Sequence, residues 1–87
     1  MSNPKVNEKI VLREEGDEAF LFNPDSGDIK ILNETGLFIW KLCNGKNSKN
    51  DIISKIMDHY EADRKTVEKD VEELLLKFKE DNLLSYD

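Results

Sequence analysis

Apolar positions fall in short blocks over the first third of the chain and recur at helical spacing over the rest. Ile10-Val11-Leu12 is a short run rich in β-branched residues, and Glu14-Glu15-Gly16-Asp17 breaks it. Ala19-Phe20-Leu21-Phe22 is a second apolar run, and Asn23-Pro24-Asp25-Ser26-Gly27 after it is a dense turn signal. Asp28-Ile29-Lys30-Ile31-Leu32 then alternates polar and apolar with period two, as a half-buried strand does. Two runs joined by a Gly-ended loop read as a hairpin, so with the first run the pattern predicts a three-stranded antiparallel meander.

After Leu32 the alternation stops. Asn33 is a good N-cap, because its side-chain oxygen can accept a bond from an orphan N–H of a first helical turn. Leu37, Phe38, Ile39, Trp40, Leu42 and Cys43 reach most of the way round that helix, which predicts a largely buried one. Gly45 is a natural left-handed cap. Ser48 opens a second helix with Asp51 three residues on, in the manner of a capping box. Ile52, Ile53, Ile56, Met57 and Tyr60 form its stripe, and it stops near Glu61. Asp63 caps a third helix, on which Val67, Val71, Leu74, Leu75 and Phe78 fall within an arc of about 100° and Leu76 falls opposite. Leu83-Leu84 closes the chain as a short apolar tail. Three strands followed by three helices predict an α+β domain of winged helix-turn-helix type, with the helices on one face of the sheet.

Eighty-seven residues fit one domain. Residues 1–8 are polar, with Pro4 and two asparagines, and read as a flexible lead-in to a single domain over 9–87. A core this small disfavours a large catalytic pocket. The net charge of −6 gives no general attraction to nucleic acid or to an anionic membrane. No apolar run approaches the roughly 20 residues of a membrane span, and the N-terminus lacks the apolar core of a signal peptide. With a single cysteine, Cys43, no intramolecular disulfide can form, and the cytoplasm is the expected location.

Little in the chain points to catalysis. His59 has no second histidine or thiol to share a metal, and Cys43 on an apolar helix reads as a small core residue with no base beside it. Ser26, Ser48 and Ser54 lack any nucleophile-elbow context. The pairs Glu14-Glu15, Glu72-Glu73 and Glu80-Asp81 are solvated, and the glycines are too scattered for a phosphate loop. No catalytic residue, cofactor or metal ligand is expected. What remains is an edge. A meander leaves an edge strand with unpaired N–H and C=O groups, on which a guest peptide can add as a further strand. The strand Asp28 to Leu32 feeds directly into the helical half, so a groove between it and a helix is geometrically reasonable.

These residues resemble a known family. Phe20 to Gly27 followed by Ile31-Leu32-Asn33-Glu34-Thr35-Gly36 is similar to the L-F-x-P-x-x-G … L-N-x-T pattern of the PqqD family. Ile39-Trp40-Lys41-Leu42 with Gly45 resembles its I-W-x-L … G helix, and Asp51-Ile52-Ile53 its second helix. Tyr60, Asp63, Val67, Asp70-Val71 and Leu74-Leu75 resemble its third helix, with Leu74 where an aromatic is common and Phe78 where the last leucine would stand. Leu83-Leu84 resembles a closing G-L-L in which Asn82 replaces the glycine. The resemblance runs from about Val11 to the end. It implies a recognition element for the leader of a ribosomally made precursor peptide, acting with a radical S-adenosylmethionine enzyme and holding no cofactor of its own. It implies that the leader adds along the third strand and lies against the third helix. Carried onto this chain, that gives Asp28, Ile29, Lys30, Ile31 and Leu32 as the pairing strand, with Val71, Leu75, Leu76 and Lys79 expected on the helix flank.

Two other readings share the fold. A winged-helix nucleic-acid binder needs basic and amide side chains on its reader helix. Here Lys65, Lys69, Lys77 and Lys79 are interleaved with Glu68, Asp70, Glu72, Glu73, Glu80 and Asp81. An accessory subunit could also dock on an enzyme without touching a leader. An open edge can pair with a second copy of itself, which leaves a homodimer open.

Overall fold

The computed structural model describes residues 3–86. Strands β1 (Pro4–Val6), β2 (Val11–Glu15), β3 (Glu18–Phe22) and β4 (Ile29–Leu32) precede helices α1 (Glu34–Leu42), α2 (Lys49–His59) and α3 (Arg64–Glu80), and β5 (Leu84–Tyr86) ends the chain. Strands β2, β3 and β4 form the expected antiparallel meander in that spatial order. Glu15 pairs with Glu18, so only Gly16 and Asp17 turn the first hairpin, and Gly16 takes φ 61°. A two-residue turn whose twist matches its strands needs positive φ at its first central residue, which glycine supplies without a Cβ clash.

The second hairpin is closed by the N–H of Asn23 donating to the Asp28 carbonyl at 2.9 Å and the N–H of Gly27 donating to the Asn23 carbonyl at 2.7 Å. Asp28 therefore belongs to the turn, and its own N–H donates to Ser26 Oγ.

Each helix begins where its capping residue predicts. The Asn33 side chain accepts from the Gly36 N–H at 2.8 Å, Ser48 and Asp51 form a reciprocal capping box, and Asp63 accepts from the Thr66 N–H. Helix α1 ends at Leu42, before Gly45. Gly45, at φ 82°, instead donates its N–H to the Pro4 carbonyl at 3.0 Å.

One face of the meander buries Ala19, Leu21 and Leu32 against Ile39, Trp40 and Cys43 of the α1 segment, Ile52, Ile53 and Ile56 of α2, and Val67, Val71, Leu75 and Phe78 of α3. Trp40 meets Phe78 edge to face, at 5.3 Å between centroids. The α1 helix is buried on one side only, since Leu37, Phe38 and Leu42 are half-buried.

The chain ends depart from expectation. Residues 1–8 were expected to be a flexible lead-in, but Pro4–Val6 pairs antiparallel with Leu84–Tyr86, and Pro4 is fully buried. The Val6 N–H donates to the Cys43 carbonyl and the Asn7 N–H to the Leu83 carbonyl. Leu83 and Leu84, read as a tail, are both 4% exposed. A three-residue strand is too short to show a period, and its partner lies about eighty positions away in sequence, beyond any local signal. Met1 and Ser2 of the expected lead-in lie outside the described residues, as does Asp87.

Candidate functional site

The alternation of the second hairpin decides what β4 can offer. In an antiparallel ladder, residues alternate between those bonded to the neighbouring strand and those whose N–H and C=O point outward. The bonded Asn23–Asp28 pair sets the phase. Counting along the register, Lys30 and Leu32 bond inward to Leu21 and Ala19, while Ile29 and Ile31 direct their backbone groups to the free edge. That edge has no strand partner among the described residues.

Side chains alternate in the perpendicular direction. Lys30 and Leu32 stand on the helix side of the sheet, and Ile29 and Ile31 stand on the outer side, 64% and 61% exposed.

A groove runs between this edge and α3. Its strand wall is Lys30, Ile31 and Leu32, its floor includes Gly36 and Ile39, and its helix wall is Asp70, Glu73, Leu74 and Lys77. A Cβ on Gly36 would come within 3.3 Å of the capping Oδ1 of Asn33 and 3.4 Å of Leu32, so glycine keeps this corner free of a side chain. Lys30 Nζ reaches across to Asp81 at 3.1 Å, which joins the strand to the C-cap of α3. Beyond that bridge a second hollow continues the groove between the turn at Ser26 and Asp28 and the helix end at Glu80 and Asn82.

Of the residues expected at the site, Lys30, Ile31 and Leu32 line this groove, and Ile29 and Asp28 border its continuation. The backbone of Asp28 is engaged by the turn. The helix residues expected there are elsewhere. Val71 and Leu75 lie in the core, 0% and 1% exposed, Leu76 is solvent-exposed, and Lys79 Nζ sits 5.6 Å from the Tyr86 ring centroid beside β5. The groove residues missed were Asp70, Glu73, Leu74 and Lys77. The sequence held one signal for them: Leu74 extends the apolar arc of α3 to one side only, and that side faces β4.

The outer face of the sheet carries its own apolar surface. Val11, Phe22 and Ile29 lie in one cross-strand row, and Phe20 and Ile31 in the next.

The chemically reactive residues are quiet. Burial pushes the Cys43 thiol up to about 12, and its Sγ–H donates to the Ile39 carbonyl at 3.2 Å. His59 is exposed and stacks on Phe38 at 4.9 Å. Among the described residues no three His, Cys, Asp or Glu side chains gather as a metal site would require. No helix of the described residues is long and apolar enough to cross a membrane. On α3, Arg64 pairs with Glu68, and Glu72 pairs with Lys49 of α2, so acids interrupt any basic face a nucleic acid would meet.

Comparison with solved structures gives two whole-length likenesses. "TbiB1 in Complex with the TbiA(beta) Leader Peptide" is 28% identical, with a TM-score of 0.83 over 93% of this chain and 94% of that one. "Lasso peptide synthetase B1 complexed with the leader peptide" has a TM-score of 0.84 at 22% identity, over 95% of this chain and 98% of that one. The whole chain also superposes on 12% of the heterocyclase TruD, with a TM-score of 0.70 and 13% identity, which shows a shared fold within a much larger protein. No curated protein matches. The family described as Coenzyme PQQ synthesis protein D (PqqD) matches residues 18–84, from β3 to the start of β5. On that match, which takes in the meander's last two strands and all three helices, the chain belongs to the PqqD family.

Proposed function

We propose that this domain is a non-catalytic peptide chaperone. It binds the leader of a ribosomally synthesised precursor peptide as an added strand on β4 and presents it to a modifying enzyme. One observation carries the reading: Ile29 and Ile31 hold their backbone groups toward an open edge that α3 walls into a groove. Two outward residues supply about four main-chain hydrogen bonds, at roughly 1 kcal/mol net each. An apolar anchor seated over Leu32 and Leu74 adds to them against the cost of association. A relative 28% identical to this chain carries a leader peptide in its own complex, which supports the same use of the fold here.

The partner enzyme, of the radical S-adenosylmethionine type that the family resemblance implies, covers the outer apolar face of the sheet. A guest strand on β4 widens that face, so the enzyme meets domain and leader together. The setting is cytoplasmic. A homodimer through β4 uses the same edge, so self-pairing and leader binding exclude each other.

Ile31→Pro tests the reading. Proline removes an N–H that points to the free edge and leaves the bonds to β3 intact, which an edge position tolerates. Titration of the folded variant with leaders encoded beside its gene should show affinity reduced by about tenfold or more, the loss of one to two hydrogen bonds and the local fit. Unchanged binding by a folded Ile31→Pro protein rules out strand addition on β4.

A further inference from the structure

The carboxylates along the groove restrict what can lie in it. Strand β4 and helix α3 run in opposite directions across it, because Lys30 near the start of β4 meets Asp81 at the end of α3. At the Leu32 end stand Glu18, Asp70 and Glu73. At the other end stand Asp28 and Glu80, with Asp81 already matched to Lys30. Among the described residues none of Glu18, Asp28, Asp70, Glu73 or Glu80 has a cationic partner within 4.0 Å. Between the two acidic ends lies the apolar stretch of Leu32, Ile39 and Leu74, with Lys77 the one groove cation lacking a carboxylate partner among the described residues.

An acidic guest entering this groove would bring like charge against carboxylates at both ends. A basic one would give them the partners they lack.

We infer that the segment bound on β4 is cationic: an apolar side chain seated over Leu32 and Leu74, with Lys or Arg two residues away toward Glu18, Asp70 and Glu73 and four residues away, past Lys30, toward Asp28 and Glu80. The inference rests on the strand-addition reading and names its substrate class. Residues two apart on a strand face the same way and lie about 7 Å apart, so two groove-facing positions six residues apart span about 20 Å and pass over Lys30 between them. Asp70 to Glu80 on α3 covers about 15 Å at 1.5 Å per residue, and long basic side chains close the difference. The preference is stronger at the Leu32 end, where three carboxylates line the groove and Lys77 lies one turn from Glu73 and about two from Asp70. Reversing the guest chain reverses the order of the two spacings and keeps both basic positions, because both ends are acidic.

The test is selection from a displayed library of random nine-residue peptides against the folded protein, followed by chemical-shift mapping of the synthesised winners. Winners that perturb β4 and the groove face of α3, and carry Lys or Arg two residues to one side of an apolar position and four to the other, are the expected result. Replacing both basic residues by Gln should weaken the best winner about tenfold at low salt, since exposed ion pairs contribute a few-fold each. The difference should shrink as salt rises toward the screening regime. In the Asp70→Asn, Glu73→Gln double variant it should fall below about threefold, with only the weaker acidic end left to pair.

Winners that map to the groove with neutral or acidic residues at those positions overturn the inference and leave strand addition standing. So does a Gln replacement that costs the same in the double variant as in the parent. Winners that map away from β4, or no winners at all from a folded sample, overturn strand addition and the inference with it.

Discussion

Asn82 sits at φ 60°, just past the C-cap of α3. The Asn82 N–H donates to the Lys79 carbonyl at 3.1 Å and the Leu83 N–H to the Phe78 carbonyl at 2.8 Å. These are the two bonds of a Schellman motif, which needs a left-handed residue between them. Glycine adopts that conformation freely and asparagine at a modest cost, so the chain's departure from its family pattern is conservative in backbone terms. The motif also delivers Leu83 into the core. Asn82→Gly should therefore hold or raise stability by up to about 1 kcal/mol. Asn82→Val, β-branched at positive φ, should lower it by about 1–2 kcal/mol. Urea denaturation of the two variants checks both, and a Val variant as stable as the parent would contradict the backbone account.

At the scale of elements, the rotation of α3 separates core from site. Val67, Val71, Leu75 and Phe78 fix the buried side. Each edge of that side borders a different neighbour. Asp70, Leu74 and Lys77 flank it toward β4, Lys79 flanks it on the other hand, and Leu76 lies on the exposed face beyond. Both sides carry one leucine and at least one lysine, so residue chemistry alone did not separate them, and the residues expected on the helix do not line the groove. Which flank meets the sheet is settled by the hand with which three helices wrap one face of a twisted meander, a property of the assembled layers. Leu74→Asp should abolish leader binding in a domain that still folds, because Leu74 is only half-buried. Leu76→Ser should leave affinity within about twofold, as expected of a surface substitution away from the contact. Calorimetric titration of both variants distinguishes them, and equal losses would place the groove on the other flank.

Across the whole molecule, β1 and β5 tie the two chain ends together, and the Cys43–Gly45 segment joins them by two further backbone bonds. The Leu83-Leu84 step that follows α3 is buried beneath this clasp. Deleting residues 1–6 removes a buried proline and a strand's worth of hydrogen bonds. It should cost about 2–3 kcal/mol, a large share of what an 87-residue domain can have. The groove lies along β4 at the edge of the other sheet, whose strand pairing the deletion leaves in place, so the truncated domain should still bind leader at temperatures where it is folded. Thermal denaturation with and without leader measures both, and an unchanged melting temperature would show that the clasp contributes nothing.

What is local could be read along the chain. The turn chemistry of residues 23–27, the period-two run into Leu32, the caps at Asn33, Ser48 and Asp63 and the helical arcs each depend on neighbours within a few positions, and each appears where it was expected. The strand half of the groove was legible for the same reason, since β4 is both a periodic strand and the last of a meander. The rest arose on folding. Asp28 is absorbed by its turn because of a bond to Asn23, the chain ends pair across nearly the full length of the sequence, and α3 shows the sheet its Asp70–Leu74–Lys77 flank. In each case the physical cause is a contact between residues or layers brought together by folding, which a pattern read along one segment does not contain.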